Sequence, residues 1–344
     1  MKLRTISVRA GITILALGLA VLLGEWLGGI LDPFGAVAQG VNQSLYRNEI
    51  VVPDVSSPRL FRHRPNKHVE MRGYVFRTNA LGLRGPELVL PKPEGRRRVV
   101  FLGDSVVLGW GVGDEDTFVN YCQTELETVT GKEWDTVNAG HLLHDSSQEL
   151  GVLQEVGPEC DADLVVHVFV ENDIVSTAQV RESREVNPVE MTAEAKSFLR
   201  RVQLINKLRP YLPNIQANLQ HIFIQSHPAG QQGSSEHAEE MGLSLESGWE
   251  RSKIALRGMH EFCRASGVPF IILDYQKGSR LADALEAFCA EEAIPYDSIA
   301  FSQEDYARGI AVSAADAHAN PLGHRILTGH IMDSLAKLGV LEGF

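Results

Sequence analysis

The chain has 344 residues, 44% of them hydrophobic, enough for one large domain with extensions or at most two domains. Its 44 acidic residues outweigh 32 basic ones, for a formal charge of −12, and no basic stripe runs along it; nucleic acid is excluded as a partner. Four widely spaced cysteines (Cys122, Cys160, Cys263, Cys289) form no C-x-x-C pair, so a zinc or redox motif is not expected. They read as buried small hydrophobes, although an exported location would permit a disulfide.

In chain order, Lys2, Arg4 and Arg9 precede an uncharged run from Ala10 to Gly24 and a further apolar stretch to Leu31. Positive residues before an apolar run and none close after it place the N-terminus in the cytoplasm and the rest outside. Residues 1–31 are therefore an N-terminal hydrophobic segment, a transmembrane anchor or a signal. The anchor is favoured: counting on to Leu31 reaches the roughly 20 residues a span needs, with Glu25 near the outer interface. Cleavage at Ala36-Val37-Ala38 would lie far beyond the apolar run. Residues 32–95, rich in Pro and Arg with little periodicity, read as a loosely structured extracytoplasmic approach segment. Arg96, Arg97 and Arg98 read as a solvated loop end.

From residue 96 to 344 the pattern becomes regular. Strands are expected at Arg98–Leu102, Trp134–Val137, Leu164–Val170, Pro269–Leu273 and Pro295–Asp297. Helices are expected at Thr117–Thr130, Ser146–Val156, Trp249–Ser266, Ser279–Ala293 and Pro321–Leu338. Continuous apolar strands such as Leu-Val-Val-His-Val-Phe-Val are those of a sheet covered on both faces. Strands alternating with helices mean a parallel sheet between helix layers. Residues 176–248 interrupt the rhythm as a helical insertion, with a helix at Thr192–Leu208 and a polar piece from Ser226 to Glu240, either a lid or a solvated excursion.

Ligands of an open parallel sheet bind outside the carboxyl ends of its strands. Ser105 follows the first strand, Gly140 the second and Asn172 the third, while Asp316-Ala317-His318 places an acid and an imidazole just before the last helix. A serine becomes a nucleophile when a base takes its proton and a carboxylate orients that base. The oxyanion formed by attack on an ester needs preorganised donors, and the amides of Ser105, Gly140 and Asn172 could supply three. Gly109-Trp110-Gly111-Val112-Gly113 lacks dinucleotide-loop spacing, and no G-x-S-x-G occurs. His324 reads as packing at the start of the last helix and His167 as a core residue with a satisfied ring.

Gly103-Asp104-Ser105, Gly140, Asn172 and Asp316-x-His318 resemble the four blocks of the SGNH (GDSL-type) hydrolase superfamily, over roughly Arg98 to Leu338. The segments from Arg77 to Glu87 and from Gly109 to Val112 resemble bacterial membrane-anchored members. The resemblance implies a flavodoxin-like three-layer α/β/α sandwich with a parallel sheet. It implies Ser105 as nucleophile, His318 as base and Asp316 as its orienting acid. Ser105, Gly140 and Asn172 then form the oxyanion hole, and Asp104 fixes the turn. Asp173 is expected to brace the loop behind Asn172. Glu171, His141 and His144 stand where they could touch substrate. The implied activity is hydrolysis of an acyl or acetyl ester of an envelope glycan or lipid on the extracytoplasmic side, without metal or organic cofactor. Alternatives with the same residues are an O-acyltransferase of envelope glycans and a catalytically idle scaffold or glycan-binding subunit.

Overall fold

The computed structural model describes residues 2–174, 204–225, 245–276 and 280–344. The expected piece Ser226–Glu240 and most of the expected helix Thr192–Leu208 lie outside the described residues. The chain divides into two compact units: Met1–Gln43 with Glu190–Gln232 and Ser313–Asp316, and Ser44–Val189 with Gly233–Val312 and Ala317–Phe344.

In the first unit, helix α1 (Lys2–Leu31) contains a window, Gly11–Leu31, with mean hydropathy 2.1 and no buried share. Among the described residues it is the one helix long and apolar enough to cross a membrane. Asp32 then accepts the amides of Val37 and Ala38 at 3.0 and 2.8 Å, starting α2 (Ala36–Leu45).

The second unit opens with two antiparallel hairpins, β1 (Val51–Asp54) with β2 (Leu60–His63) and β3 (His68–Glu70) with β4 (Val75–Arg77). The approach segment is thus more regular than its composition suggested. Tyr46, Ile50, Met71 and Phe76 from it bury together with Leu108 and Trp110, forming an apolar cluster beside the turn that follows β5.

The main sheet follows: β5 (Arg97–Gly103), β6 (Trp134–Gly140), β7 (Leu164–Phe169), β8 (Phe270–Asp274) and β9 (Tyr296–Ser298). The order is β6-β5-β7-β8-β9 and every pairing is parallel. This is the flavodoxin-like order 2-1-3-4-5. Strand alternation feeds two cores. Val100, Leu102 and Val165 meet Val152 and Leu153 of α5 (Ser146–Cys160) and Leu256 and Met259 of α7 (Leu245–Ala265). Val99, Phe101 and Val166 meet Phe118 and Leu126 of α4 (Phe118–Thr130) and Leu327 and Ile331 of α10 (Pro321–Lys337). The result is a sheet between two helix layers, as the alternating pattern predicts. The remaining elements are α3 (Ser105–Leu108), α6 (Pro213–Gln225), α8 (Arg280–Glu291), α9 (Gln303–Ala307), β10 (Ala311–Ser313) and β11 (Asp316–Ala319).

Local chemistry sets the helix starts. Asp145 and Gln148 form a reciprocal capping box at α5, and Asn320 with Pro321 opens α10. One expectation is corrected: the arginines are not a solvated loop end, since Arg97 joins Arg98 in β5 and Arg98 is fully buried. Its guanidinium pairs with Asp135 at 2.7 Å and donates to the carbonyl of Cys160 at 2.7 Å. A buried charge with such partners is held inside by them, which no local composition reveals.

Candidate active site

Strand β5 ends at Gly103 and the chain turns directly into α3. Asp104 caps that turn, its Oδ1 accepting the Val106 amide at 2.8 Å. Ser105 is thereby fixed as the first helical residue, above the carboxyl edge of the sheet. The neighbouring strands β5 and β7 are where the strand order reverses, the crevice in which open α/β sheets bind ligands.

His318, half-buried on β11, places Nε2 2.9 Å from Ser105 Oγ. The hydroxyl also faces Asp104 Oδ2 at 3.2 Å, so its single proton has two acceptors within reach. Asp104 Oδ2 accepts in turn from the side-chain amide of Asn172 at 2.9 Å. One N–H of that amide is committed to Asp104, which orients the other. Asp104 therefore ties the Ser105 turn after β5 to the loop after β7, a role beyond the turn-fixing expected of it. Asp316, the first residue of β11, is buried. An Asn172→Ala variant should lower kcat by about 10²–10³ if this amide faces the developing oxyanion. Steady-state kinetics that show an unchanged kcat would remove the assignment.

Gly140 ends β6 at the same sheet edge, and its N–H donates to Asn138 Oδ1 at 3.1 Å. A Cβ there would be driven into the backbone of Val107 and Leu108, so glycine is needed for the close approach of β6 to α3.

His141 and His144 are corrected: they lie in the interior. His141 stacks on His63 at 4.0 Å and on His144 at 4.4 Å, nearly parallel to both. His141 Nδ1–H donates to the Ala139 carbonyl at 3.3 Å, leaving Nε2 to accept from Arg59 at 2.9 Å. His63 accepts from the Tyr46 hydroxyl at 2.6 Å and donates to the Gly82 carbonyl at 3.2 Å. Burial holds all three rings neutral, pushing His63 down to about 3 and His141 and His144 well below the usual imidazole value. The turn between them passes through Leu143 at φ +68°, a left-handed conformation that costs a leucine about 1–2 kcal/mol.

Behind Asn172, three buried groups, Glu149, His167 and Asp173, bring potential ligand atoms within 4.8 Å of one another. His167 Nε2 lies 2.8 Å from Glu149 Oε2, and Asp173 Oδ2 accepts the Val170 amide at 2.8 Å. Asp173 thus braces the Asn172 loop as expected. His167 has only one ring nitrogen satisfied: Nδ1 has no hydrogen-bond partner. Burial, and then the neighbouring carboxylates, push Glu149 and Asp173 well above the carboxylate range, while burial pushes His167 down to about 3. His324 packs against Phe118 at the start of α10, its Nδ1 accepting the Phe118 amide at 3.2 Å.

Sequence reasoning gave no role to Arg84, yet it is buried against the turn that carries Ser105. Its guanidinium donates to the carbonyls of Leu108 and Gly109 at 2.6 Å and of Val112 at 2.5 Å, and pairs with Asp114 at 2.9 Å. Arg84→Ala removes four buried charge-assisted bonds at once, leaving Asp114 with Arg77 alone, and should cost about 3–5 kcal/mol. Denaturant melts of the full chain in detergent that superimpose on the parent's would show the hub to be dispensable.

No family model matches the chain, and no curated protein matches it by sequence. Among solved structures, it is similar to TesA at 17% identity and TM-score 0.42, covering 70% of this chain and 99% of that one. It is similar to a putative lipolytic protein of the G-D-S-L family from Desulfitobacterium hafniense DCB-2 (12%, TM-score 0.39, 69% and 99%). A third similar structure is a catalytic mutant of Axe2, an acetylxylan esterase from Geobacillus stearothermophilus (13%, TM-score 0.40, 70% and 94%).

Proposed function

We propose that the chain is a membrane-tethered ester hydrolase of the SGNH type, with Ser105 as nucleophile and His318 as base. The observation that carries this is the 2.9 Å contact between Ser105 Oγ and His318 Nε2 at the carboxyl edge of a parallel sheet. Ser105 Oγ attacks the ester carbonyl while His318 takes its proton, and the carbonyl electron pair moves onto oxygen. That oxyanion is met by the Ser105 N–H, an amide that a helix start leaves without an intrahelical acceptor, and by the free N–H of Asn172. His318 then protonates the departing alkoxide, and water, activated by the same ring, cleaves the acyl-enzyme. Asp316, two residues before His318, is assigned to orient the imidazole and stabilise its charged form. Glu171, half-buried beside Asn172, is kept as a contact for the polar part of the substrate. The apolar α1 supports a tether, with an acyl or acetyl ester of an envelope glycan or lipid on the far side as substrate.

The test uses the full chain in detergent with p-nitrophenyl esters of increasing acyl length, beside labelling by an alkyl phosphonate. Turnover with Ser105 labelled supports the hydrolase. Labelling with acyl transfer to an added glycan in place of free acid replaces it with the transferase. A Ser105 inert to both reagents leaves the idle scaffold.

A further inference from the structure

The apolar helix α1 is not alone in its unit. The carboxylate of Glu25 accepts the amides of Asn214 and Ile215, both at 2.8 Å, at the start of α6. The Glu25 carbonyl accepts from the Asn214 side chain at 3.1 Å, and Phe34 packs on His221 at 4.9 Å between ring centres. The two helices meet at Gly28 and Gly29, where a Cβ on Gly29 would lie 2.5 Å from Asn214 Nδ2. A carboxylate at a helix N-terminus satisfies two orphan amides and opposes the positive end of the helix dipole. Here it also gives the one acidic residue of the apolar window its partners, which a charge near a bilayer requires.

The depth of this clamp follows from helix geometry. Glu25 stands 21 residues beyond Arg4 and 16 beyond Arg9. At about 1.5 Å per residue these are separations of about 32 and 24 Å, bracketing a hydrocarbon core of about 30 Å. Glu25, and exposed Trp26 beside it, fall at the outer interface, the level where tryptophan concentrates.

The segment that begins at this level has the composition of an interfacial element. Between Leu204 and Gln225 there is no Asp or Glu, while Lys207 and Arg209 give it positive charge in a chain of net −12. Ile215, Leu219 and Ile222 repeat at helical spacing. Ile215 reaches within 3.8 Å of where a Gly24 Cβ would stand, while Leu219 and Ile222 are 42% and 49% exposed. Leu204 and Tyr211, at 65% and 80%, add apolar surface just before α6. An apolar stripe edged by cations, continuous with an exposed membrane-length helix, matches a lipid surface with anionic headgroups.

We infer that residues 204–225 lie on the outer-leaflet surface beside α1, with Leu219 and Ile222 among the headgroups and Glu25 as the clamp. This rests on the reading of α1 as a retained anchor. It makes the N-terminal helix a structural partner of a segment nearly 190 residues away, which a cleaved leader could not be.

The test reconstitutes the full chain in phosphatidylcholine–phosphatidylglycerol vesicles. The four native cysteines are buried. An environment-sensitive fluorophore is therefore attached to one introduced cysteine at a time: Ile14→Cys, Leu219→Cys, Ile222→Cys, or Gln220→Cys on another side of α6. Nitroxide lipids carry the quencher either near the headgroup or near the chain end. The expected result is loss of most emission at Ile14 to the deep quencher and at Leu219 and Ile222 to the shallow one, with Gln220 quenched by aqueous iodide. Adding Glu25→Ala should free Leu219 from the shallow quencher and leave Ile14 unchanged. Leu219 and Ile222 quenched only from water, beside a deep Ile14, would overturn the interfacial reading alone. An Ile14 probe that no lipid quencher reaches, or a chain found without it, would overturn the anchor and this inference with it. Unaltered Leu219 quenching in Glu25→Ala would overturn the clamp.

Discussion

Ser105→Ala should reduce kcat for ester hydrolysis by about 10⁶-fold, His318→Ala by a similar factor, and the double variant by no more than either alone. The non-additivity is the informative part. Oγ and Nε2 sit 2.9 Å apart and share one proton path, so removing either partner disables the same step. What survives in all three variants is the help given by the oxyanion donors and by substrate positioning, which neither substitution touches. The fold should be nearly indifferent: Ser105 is buried but small, and losing its hydroxyl frees one acceptor site on Asp104, which keeps the bonds from Val106 and Asn172. Kinetics paired with thermal melts separate the outcomes. An intact Ser105→Ala protein retaining more than a small fraction of the parent rate would remove Ser105 as nucleophile, and multiplicative losses in the double variant would mean the two act in separate steps.

Acid should unfold this protein well before ordinary carboxylates titrate. Five histidines, His63, His141, His144, His167 and His324, are buried with their affinity for protons lowered, in each case first by burial. Below an unfolded-state value of about 6.5 the unfolded chain binds protons at these rings that the native state refuses, so their contribution is complete above that pH and is lost as pH falls. Three carboxyls work the other way: Glu149 and Asp173 are raised well above their ordinary values and Asp274 to about 6, all first by burial. They stay protonated in the native state, and their contribution is present at low pH and lost as pH rises. Five against three leaves a surplus of about two protons taken up on unfolding near pH 5. Stability should then fall by about 3 kcal/mol per pH unit on acidification, on the order of 5 kcal/mol from pH 6 to pH 4. That is comparable to the whole stability of many domains. Denaturant titrations of the full chain in detergent across this range check it; a flat profile would mean that the imidazole stack is hydrated or charged in the native protein.

The layered architecture was legible because its physics is local. Continuous apolar runs in β7 and β8, and the glycine ending β5, are each signals within a few residues. The contact between Ser105 and His318 was legible for another reason: the Gly-Asp-Ser and Asp-x-His blocks resemble parts of one family site, although strand order alone does not place His318. What stayed hidden depends on partners far away in the chain. His141 looked like a pocket residue because a histidine after a strand is usually exposed; only the distant His63 and Arg59 make its burial tolerable. The bond from the Gly140 amide to the Asn138 side chain, two residues earlier, is likewise invisible until β6 is folded. Arg98 looked solvated because three consecutive arginines usually are, and its partner Asp135 is on the next strand.

The Arg84 guanidinium carries an implication for how the protein is made. It reaches from the segment after the hairpins to three carbonyls around the end of α3, so the turn that carries Ser105 is braced by chain synthesised earlier. Residues 44–95 leave the ribosome before β5, yet their apolar cluster is completed only by Leu108 and Trp110, so hairpins and turn must set together. A shortened gene beginning at β5 would encode every residue assigned to the chemistry and still deliver a turn with nothing to mould it.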